Sequence, residues 1–218
     1  MTEPKQTPST SDEDYSINYE LKKEGLERIL GPMHDMVSHA IIPFQVGGAV
    51  DMYYFPHAIP GTAFVTMELI EPNGSGPQPS RIGTYELIAF TRLEITRDEK
   101  YEVIHGKDGG SFNAIERRLC GIFTSIGRYS AIAILNPCET CEVPAEKDEP
   151  YACLVLDEWK KPGLEFKIGS RKHGLLLCIE IFRSEMEFAM QNGSQALFKR
   201  LKAKGYYPYS DLDRQPVA

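Results

Sequence analysis

"AVDMYYFPHAIPGTAFVTMELI" (residues 49–70) decides the reading of the fold. Its two runs, 49–56 and 62–70, are rich in β-branched and aromatic residues and read as strands on either side of a short loop. Side chains alternate along a strand, so Ala63, Val65, Met67 and Leu69 share one face. The other face carries Phe64, Thr66, Glu68 and Ile70 and is only half polar. A sheet with one face in water shows a cleaner alternation. This one is expected to be covered, at least partly, on both sides.

The same periodicities extend outward. After the Gly- and Pro-crowded loop "EPNGSGPQPSR", the run "GTYELIAFTRLEI" (83–95) reads as a further strand. Upstream, from about Asn18, Leu26, Ile29, Leu30, Met33, Val37 and Ala40 recur at helical spacing. Gly31-Pro32 interrupts this stripe, so the helix is expected to kink there or to split into two that share a face. Residues 112–128 read as a helix, with Asn113 and Glu116 as a capping pair and Ile115, Leu119, Ile122, Phe123 and Ile126 as its stripe. Strands are expected at 151–157, 164–168 and 174–182. A helix capped by Ser184 with Glu187 then runs to Gly193, and Ser194 caps a last helix that stops at Gly205. Helix, strands, helix, strands and two helices make an α+β chain rather than a regular βαβ alternation. Residues 1–14 have almost no apolar side chains and read as a disordered tail, leaving 15–218 as a single domain.

Composition excludes several classes. Apolar residues at 42% and charged residues at 25% are ordinary for a soluble globular protein of 218 residues. No run approaches the roughly 20 apolar residues of a membrane helix. "MTEPKQTPSTSDEDYS" lacks the basic start and apolar stretch of a secretory signal, which points to the cytoplasm. Five cysteines, at 120, 138, 141, 153 and 178, are an odd, scattered set that fits reduced thiols. The net charge is −7, and residues 1–158 hold 25 acids against 13 bases. That acidic body argues against nucleic acid as a partner, because phosphate binding needs clustered Lys and Arg. Residues 159–218 reverse the balance, with 11 bases and 6 acids. Their basic helix (Lys199, Arg200, Lys202, Lys204) reads as a solvated face, with a partner surface as the other reading.

The chemical motifs are thin. Cys138 and Cys141 in "NPCETCEVP" have the spacing of a redox pair or half a zinc site. Pro144 and Pro150 argue against a following helix, and Glu139, Glu142, Glu146, Asp148 and Glu149 disfavour thiolate. The segment reads as an acidic connector. His34 and His39 have nominal zinc spacing, but five residues on a helix point about 140° apart. There is no G-x-S-x-G, P-loop, H-E-x-x-H or dinucleotide fingerprint. "HGKDGGSF" (105–112) reads as a turn rather than an anion cradle, because Asp108 would repel phosphate. Glu185 and Glu187 diverge by about 200° on a helix and do not form an acid–base pair. Trp159, Tyr206, Tyr207 and Tyr209 read as packing anchors, with an interaction surface as the alternative for the tyrosines. No catalytic, cofactor-binding or metal residue is assigned, and no cofactor is expected.

Three stretches together resemble the suppressor-of-fused domain family. They are "GGAVDMYYFPHAIPGTAFVTMEL", with Thr66 in its second strand; "IGTYELIAF", where Tyr-Glu-Leu opens a strand; and "LLLCIEIFRSEMEFAMQNGSQALFKRLKAKGYYPYSDLDRQPV", in which a strand runs into a Ser-Glu-x-Glu helix start and an Asp…Arg…Pro close. The resemblance spans about residues 45–217. It implies one α+β domain with a central mixed sheet flanked by helices, and a protein-binding role without a catalytic site. Animal members bind and restrain transcription factors of the Hedgehog pathway and carry a further C-terminal domain, for which this chain is too short. A one-domain chain of this size resembles the bacterial branch, some members of which are regarded as immunity proteins that neutralise toxins. The "PCETC" segment departs from the family pattern.

Two functions are expected. The first is a cytoplasmic, non-catalytic protein-interaction domain whose partner is a protein such as a toxin, with neither nucleic acid nor membrane as partner. The alternative is an enzyme or metal protein whose site joins Cys138 and Cys141 to a distant histidine such as His105 or His173. The oligomeric state is not legible in the sequence.

Overall fold

The computed structural model describes residues 11–97, 103–104, 111–144 and 151–218. Its elements are α1 (Asp12–Leu30), β1 (Val37–Ser38), a 3-10 turn (Phe44–Val46), β2 (Met52–Phe55), β3 (Thr62–Val65), β4 (Tyr85–Thr91), β5 (Thr96–Arg97), β6 (Val103–Ile104), α2 (Ser111–Ser130), β7 (Thr140–Pro144), β8 (Tyr151–Glu158), β9 (Lys167–Ile168), β10 (Arg171–Lys172), β11 (Gly174–Ile181), α3 (Arg183–Asn192) and α4 (Ser194–Ala203). Seven strands form one sheet in the order β1-β2-β3-β4-β11-β8-β7. At its centre β4 and β11 run parallel, with Gly174 opposite Tyr85 and Leu177 opposite Ile88. Their neighbours β3 and β8 run antiparallel to them. The fold is α+β with a mixed central sheet. No helix among the described residues is long and apolar enough to cross a membrane.

Both faces of the sheet are covered. On one, Val65, Ile88, Phe90, Leu177 and Ile179 pack with Leu26 and Leu30 of α1, Met186 of α3 and Phe198 and Leu201 of α4. On the other, Tyr54, Phe64, Leu87, Leu176 and Cys178 pack with Leu119, Ile122, Phe123 and Ile126 of α2. Every residue of β4 and of β11 is therefore buried, which is why these strands read as continuous apolar runs. Each such Leu, Ile or Phe contributes about 1.5–3 kcal/mol by leaving water.

Several boundaries differ from the sequence reading, each for a local reason. Residues 11–14, expected in the tail, form the cap and first turn of α1. The Ser11 hydroxyl accepts from the Asp14 amide at 3.2 Å, the Asp14 carboxylate accepts from the Ser11 amide at 2.9 Å, and Asp12, Glu13 and Asp14 face the positive helix end. Residues 1–10 lie outside the described residues. The α1 stripe does not continue as helix beyond Gly31, which takes φ 88° and donates its amide to Glu27 O. Pro32 comes next, and Val37 pairs with Tyr53 instead. Helix α2 begins at Ser111, so Asn113 lies inside it, and Glu116 accepts a hydrogen bond from the Tyr54 hydroxyl. The cap of α3 is Phe182, whose amide donates to Glu185 Oε2 at 3.0 Å, while Ser184 donates to Ala218 O. Ser194 is the first residue of α4, and its hydroxyl donates to Cys138 O at 2.7 Å.

The strand expected over 62–70 stops at Val65 because a buried carboxylate captures residues 66–70. Glu86 on β4 accepts from Thr66 Oγ1 at 2.7 Å, Leu69 N at 3.2 Å, Ile70 N at 3.0 Å and Lys22 Nζ at 3.0 Å. Turning the Leu69 and Ile70 amides inward breaks the ladder. A second carboxylate fixes the chain end: Glu185 holds Arg214 through two bonds, of 2.6 and 2.8 Å, and accepts the Val217 amide. Between them, Tyr209–Asp211 fill the fork where β4 and β11 part. The Ser210 amide donates to Phe90 O, the Glu180 amide donates to Ser210 Oγ, and Asp211 accepts from Thr91 Oγ1 and the Arg92 amide.

Candidate protein interaction site

The segment holding Cys138 and Cys141 is part of the sheet, which corrects its reading as a connector. The amide of Cys138 donates to Leu156 O at 2.7 Å, Leu156 N donates to Glu139 O, and β7 continues antiparallel to β8 from Thr140↔Val155 to Pro144↔Tyr151. The signal was a five-residue alternation in which Cys141 and Val143 face inward between Thr140, Glu142 and Pro144. Pro144 suits an edge strand, because it has no amide to donate.

The two thiols do not work together. Cys138 packs against the core on the α1, α3 and α4 face, whereas Cys141 packs against the core beneath α2. Burial, reinforced by Glu139, pushes the Cys141 thiol up to about 12, so it stays protonated at neutral pH. Cys138 sits at the start of α4, where its sulfur accepts from Gln195 Nε2 at 3.0 Å. His173 is not near either. The Leu156 level of Cys138 lies opposite Cys178 on β11, five strand positions from His173, a separation of roughly 16 Å along the strand. His173 Nδ1 is engaged with Thr84 Oγ1 at 2.7 Å, and burial depresses its pKa. His34 and His39 lie on either side of β1 rather than on a helix, because α1 has already ended. His39 pairs with Asp51 at 2.7 Å, and His34 Nδ1 accepts from Met36 N. His105 lies outside the described residues, as do Asp108, Glu146, Asp148 and Glu149. Among the described residues no three His, Cys, Asp or Glu side chains form a metal-holding group. Glu185 is fully buried against Arg214 and Glu187 is exposed, so these two diverge.

The tyrosines near the C-terminus anchor packing. Tyr207 lies edge-on to Phe198 and donates to Asp157, and Tyr209 donates to Pro60 O beneath the Arg92 guanidinium. Trp159 packs on Phe90 at 4.5 Å between ring centroids.

A different feature stands out around β7. Four large apolar side chains project into solvent there: Tyr129, Ile132 at 81% exposure, Ile134, and Met190 at 71%. Tyr129, Ile134 and Met190 line a groove of about 480 Å³ whose floor includes Cys138, Thr140 and Cys141. The turn after α2 is rigidly held. Ile132 and Ala133 donate back to Tyr129 O, Gln78 donates to Ser130 O, and Arg81 ties to Asn136 and Pro137. At the same helix end, Arg128 reaches Gly48 O at 2.9 Å and pins a loop that exposes Ile41, Ile42 and Val46. One acidic group, Glu139, lines the groove and caps Asn136, while Glu142 on β7 pairs with Arg183 at 2.5 Å. Sequence reasoning missed these apolar residues: Tyr129 keeps the α2 spacing, three residues after Ile126, and Ile132 and Ile134 lie between the helix and Asn136-Pro137.

No family model and no curated protein matches the chain. A solved structure does: the Sufu-Fu complex, at 13% identity, covering 92% of this chain and 92% of that one, with a TM-score of 0.56. The fold is like that of suppressor of fused. At that identity the likeness is one of architecture, and it agrees with the mixed sheet and flanking helices described above.

Proposed function

We propose that this protein is a non-catalytic protein-interaction domain whose partner docks on the apolar groove beside β7. The observation that carries this reading is that Tyr129, Ile134 and Met190 are exposed around a preformed groove, with Ile132 exposed on the turn after α2. Exposed apolar clusters rimmed by polar groups mark protein-binding surfaces. The architectural neighbour is itself described as a complex of two proteins, which supports the same class of role. The divided cysteines, the protonated Cys141 thiol and the distance to His173 argue against the enzyme or metal alternative.

In its sharper form the protein is a bacterial, cytoplasmic immunity protein that neutralises a toxin. Its acidic body, with Glu139 at the groove, complements a basic partner and speeds association. The test is affinity purification from the source cell, identification of the recovered protein, and titration of the purified pair by calorimetry. A one-to-one complex supports the reading, and co-expression that rescues growth from that partner supports the immunity form. Recovery of the bait alone, with turnover of a metabolite by the purified protein, contradicts both.

A further inference from the structure

We propose that a second surface, a basic cleft between α1 and the β9–β10 hairpin, docks an acidic peptide segment of a partner protein through one apolar anchor side chain. This goes beyond the reading above and shares no lining residue with the apolar groove.

The cleft is assembled by close packing. A Cβ on Gly25 would lie 2.1 Å from Lys167 O, so only glycine lets α1 touch the backbone of the hairpin. The chain between β8 and β9 then crosses the end of α1, turning at Pro162-Gly163, with φ 78° at Gly163. Lys161 Nζ approaches Ile29 O at 3.5 Å. The space left is about 400 Å³, walled by Ile29, Trp159, Leu164, Phe166, His173 and Leu175. That lies within the range of preformed ligand sites, about 300–1,000 Å³. The His173 ring adds a neutral wall, because its buried position disfavours protonation.

The rim is positive. Residues 158–173 carry Lys160, Lys161, Lys167, Arg171 and Lys172 against Glu158 and Glu165, in a chain whose net charge is −7. Both carboxylates are already engaged: Glu158 with Lys160 at 3.0 Å, and Glu165 with Lys172 at 2.7 Å and Lys167 at 3.2 Å. Lys161 and Arg171 have no carboxylate partner among the described residues. A slot with Lys161 in its wall and Arg171 two residues from its His173 wall, neither paired with a carboxylate among the described residues, fits an apolar side chain flanked by carboxylates.

Other anionic partners fit less well. The exposed large apolar side chains of the described residues lie elsewhere, so nothing at this rim would insert into a membrane. Single-stranded nucleic acid needs open aromatic faces and a track of free cations. Here the Trp159 ring packs tilted against Phe90 at 4.5 Å, and Glu158 and Glu165 interrupt the track.

The test uses the full chain and a fluorescein-labelled peptide with one tryptophan between two pairs of glutamates, read by fluorescence anisotropy. We expect saturable binding that weakens at least about fivefold when salt rises from about 50 to about 300 mM. Binding falls about tenfold or more in the Lys161→Glu/Arg171→Glu variant, whose altered side chains are exposed, and with a peptide whose tryptophan is replaced by serine. The Ile132→Asp/Met190→Asp variant binds the peptide like the parent, which separates this site from the apolar groove. The proposal is overturned if the peptide does not bind, if a lysine-flanked peptide binds as well, or if the charge-reversed variant is unaffected. Tighter binding of phosphatidylserine vesicles or of a single-stranded oligonucleotide overturns it too.

Discussion

The Lys22 ammonium and the Glu86 carboxylate meet at 3.0 Å with both side chains sealed from solvent. Lys22 comes from α1 and also donates to Met67 O, while Glu86 gathers the Thr66 hydroxyl and two backbone amides. This one pair therefore ties the helix, the end of β3 and the centre of the sheet together. Breaking a buried pair leaves a charge without a partner, which costs about 3–5 kcal/mol. We expect Lys22→Met to lower urea stability by about that amount. Glu86→Leu should cost more, because Thr66, Leu69 and Ile70 also lose their acceptor. Equal or negligible losses in equilibrium unfolding would contradict this role.

Arg214 is held by Glu185 in a two-pronged pair and lies against the Phe182 and Tyr206 rings at 4.9 Å each. Lysine cannot reproduce the planar fork. Arg214→Lys should therefore destabilise nearly as much as Arg214→Ala. Both should raise amide exchange across residues 206–218 before the central strands respond. Full rescue by lysine would argue for a simple charge contact.

Glu68 gives the fold a pH signature. Burial, with help from nearby carboxylates, raises its pKa from 4.5 to about 7, although it accepts the Asp51 amide at 2.8 Å. A carboxyl raised on folding stabilises fully below its unfolded value and loses that contribution as pH rises through the folded one. Parent stability should thus fall between about pH 4.5 and 7 relative to Glu68→Gln. Parallel stability curves for the two proteins across that window would contradict the assignment.

The cysteines should behave as separate thiols. With its thiol pushed up to about 12, Cys141 should stay unalkylated at pH 8 while the protein is folded. Cys138→Ser and Cys141→Ser should leave metal content unchanged by elemental analysis. Stoichiometric zinc lost in either variant would restore the metal alternative.

Much of the fold was legible because strong periodicities survive burial. The α2 stripe and the apolar run of β11 placed that helix and strand within two residues, and the run over 83–95 located β4, which ends four residues earlier at Thr91. Boundaries failed where a distant group intervened. Glu86 ends β3 by drawing in the Leu69 and Ile70 amides, and no local pattern announces a carboxylate 16 residues away. The resemblance motifs proved to be structural ties: Thr66 with Glu86, and Glu185 with Arg214. The groove was hidden because exposure is a tertiary fact. Ile132 and Met190 look like core residues until their neighbours are known.

Calorimetric titration of the identified partner protein into the parent and into the Ile132→Asp/Met190→Asp variant puts the groove to the test. Both side chains are exposed, so the melting temperature should hold. The affinity should fall at least about tenfold, as for removal of an anchor cluster. Unchanged affinity in the folded variant would contradict docking beside β7.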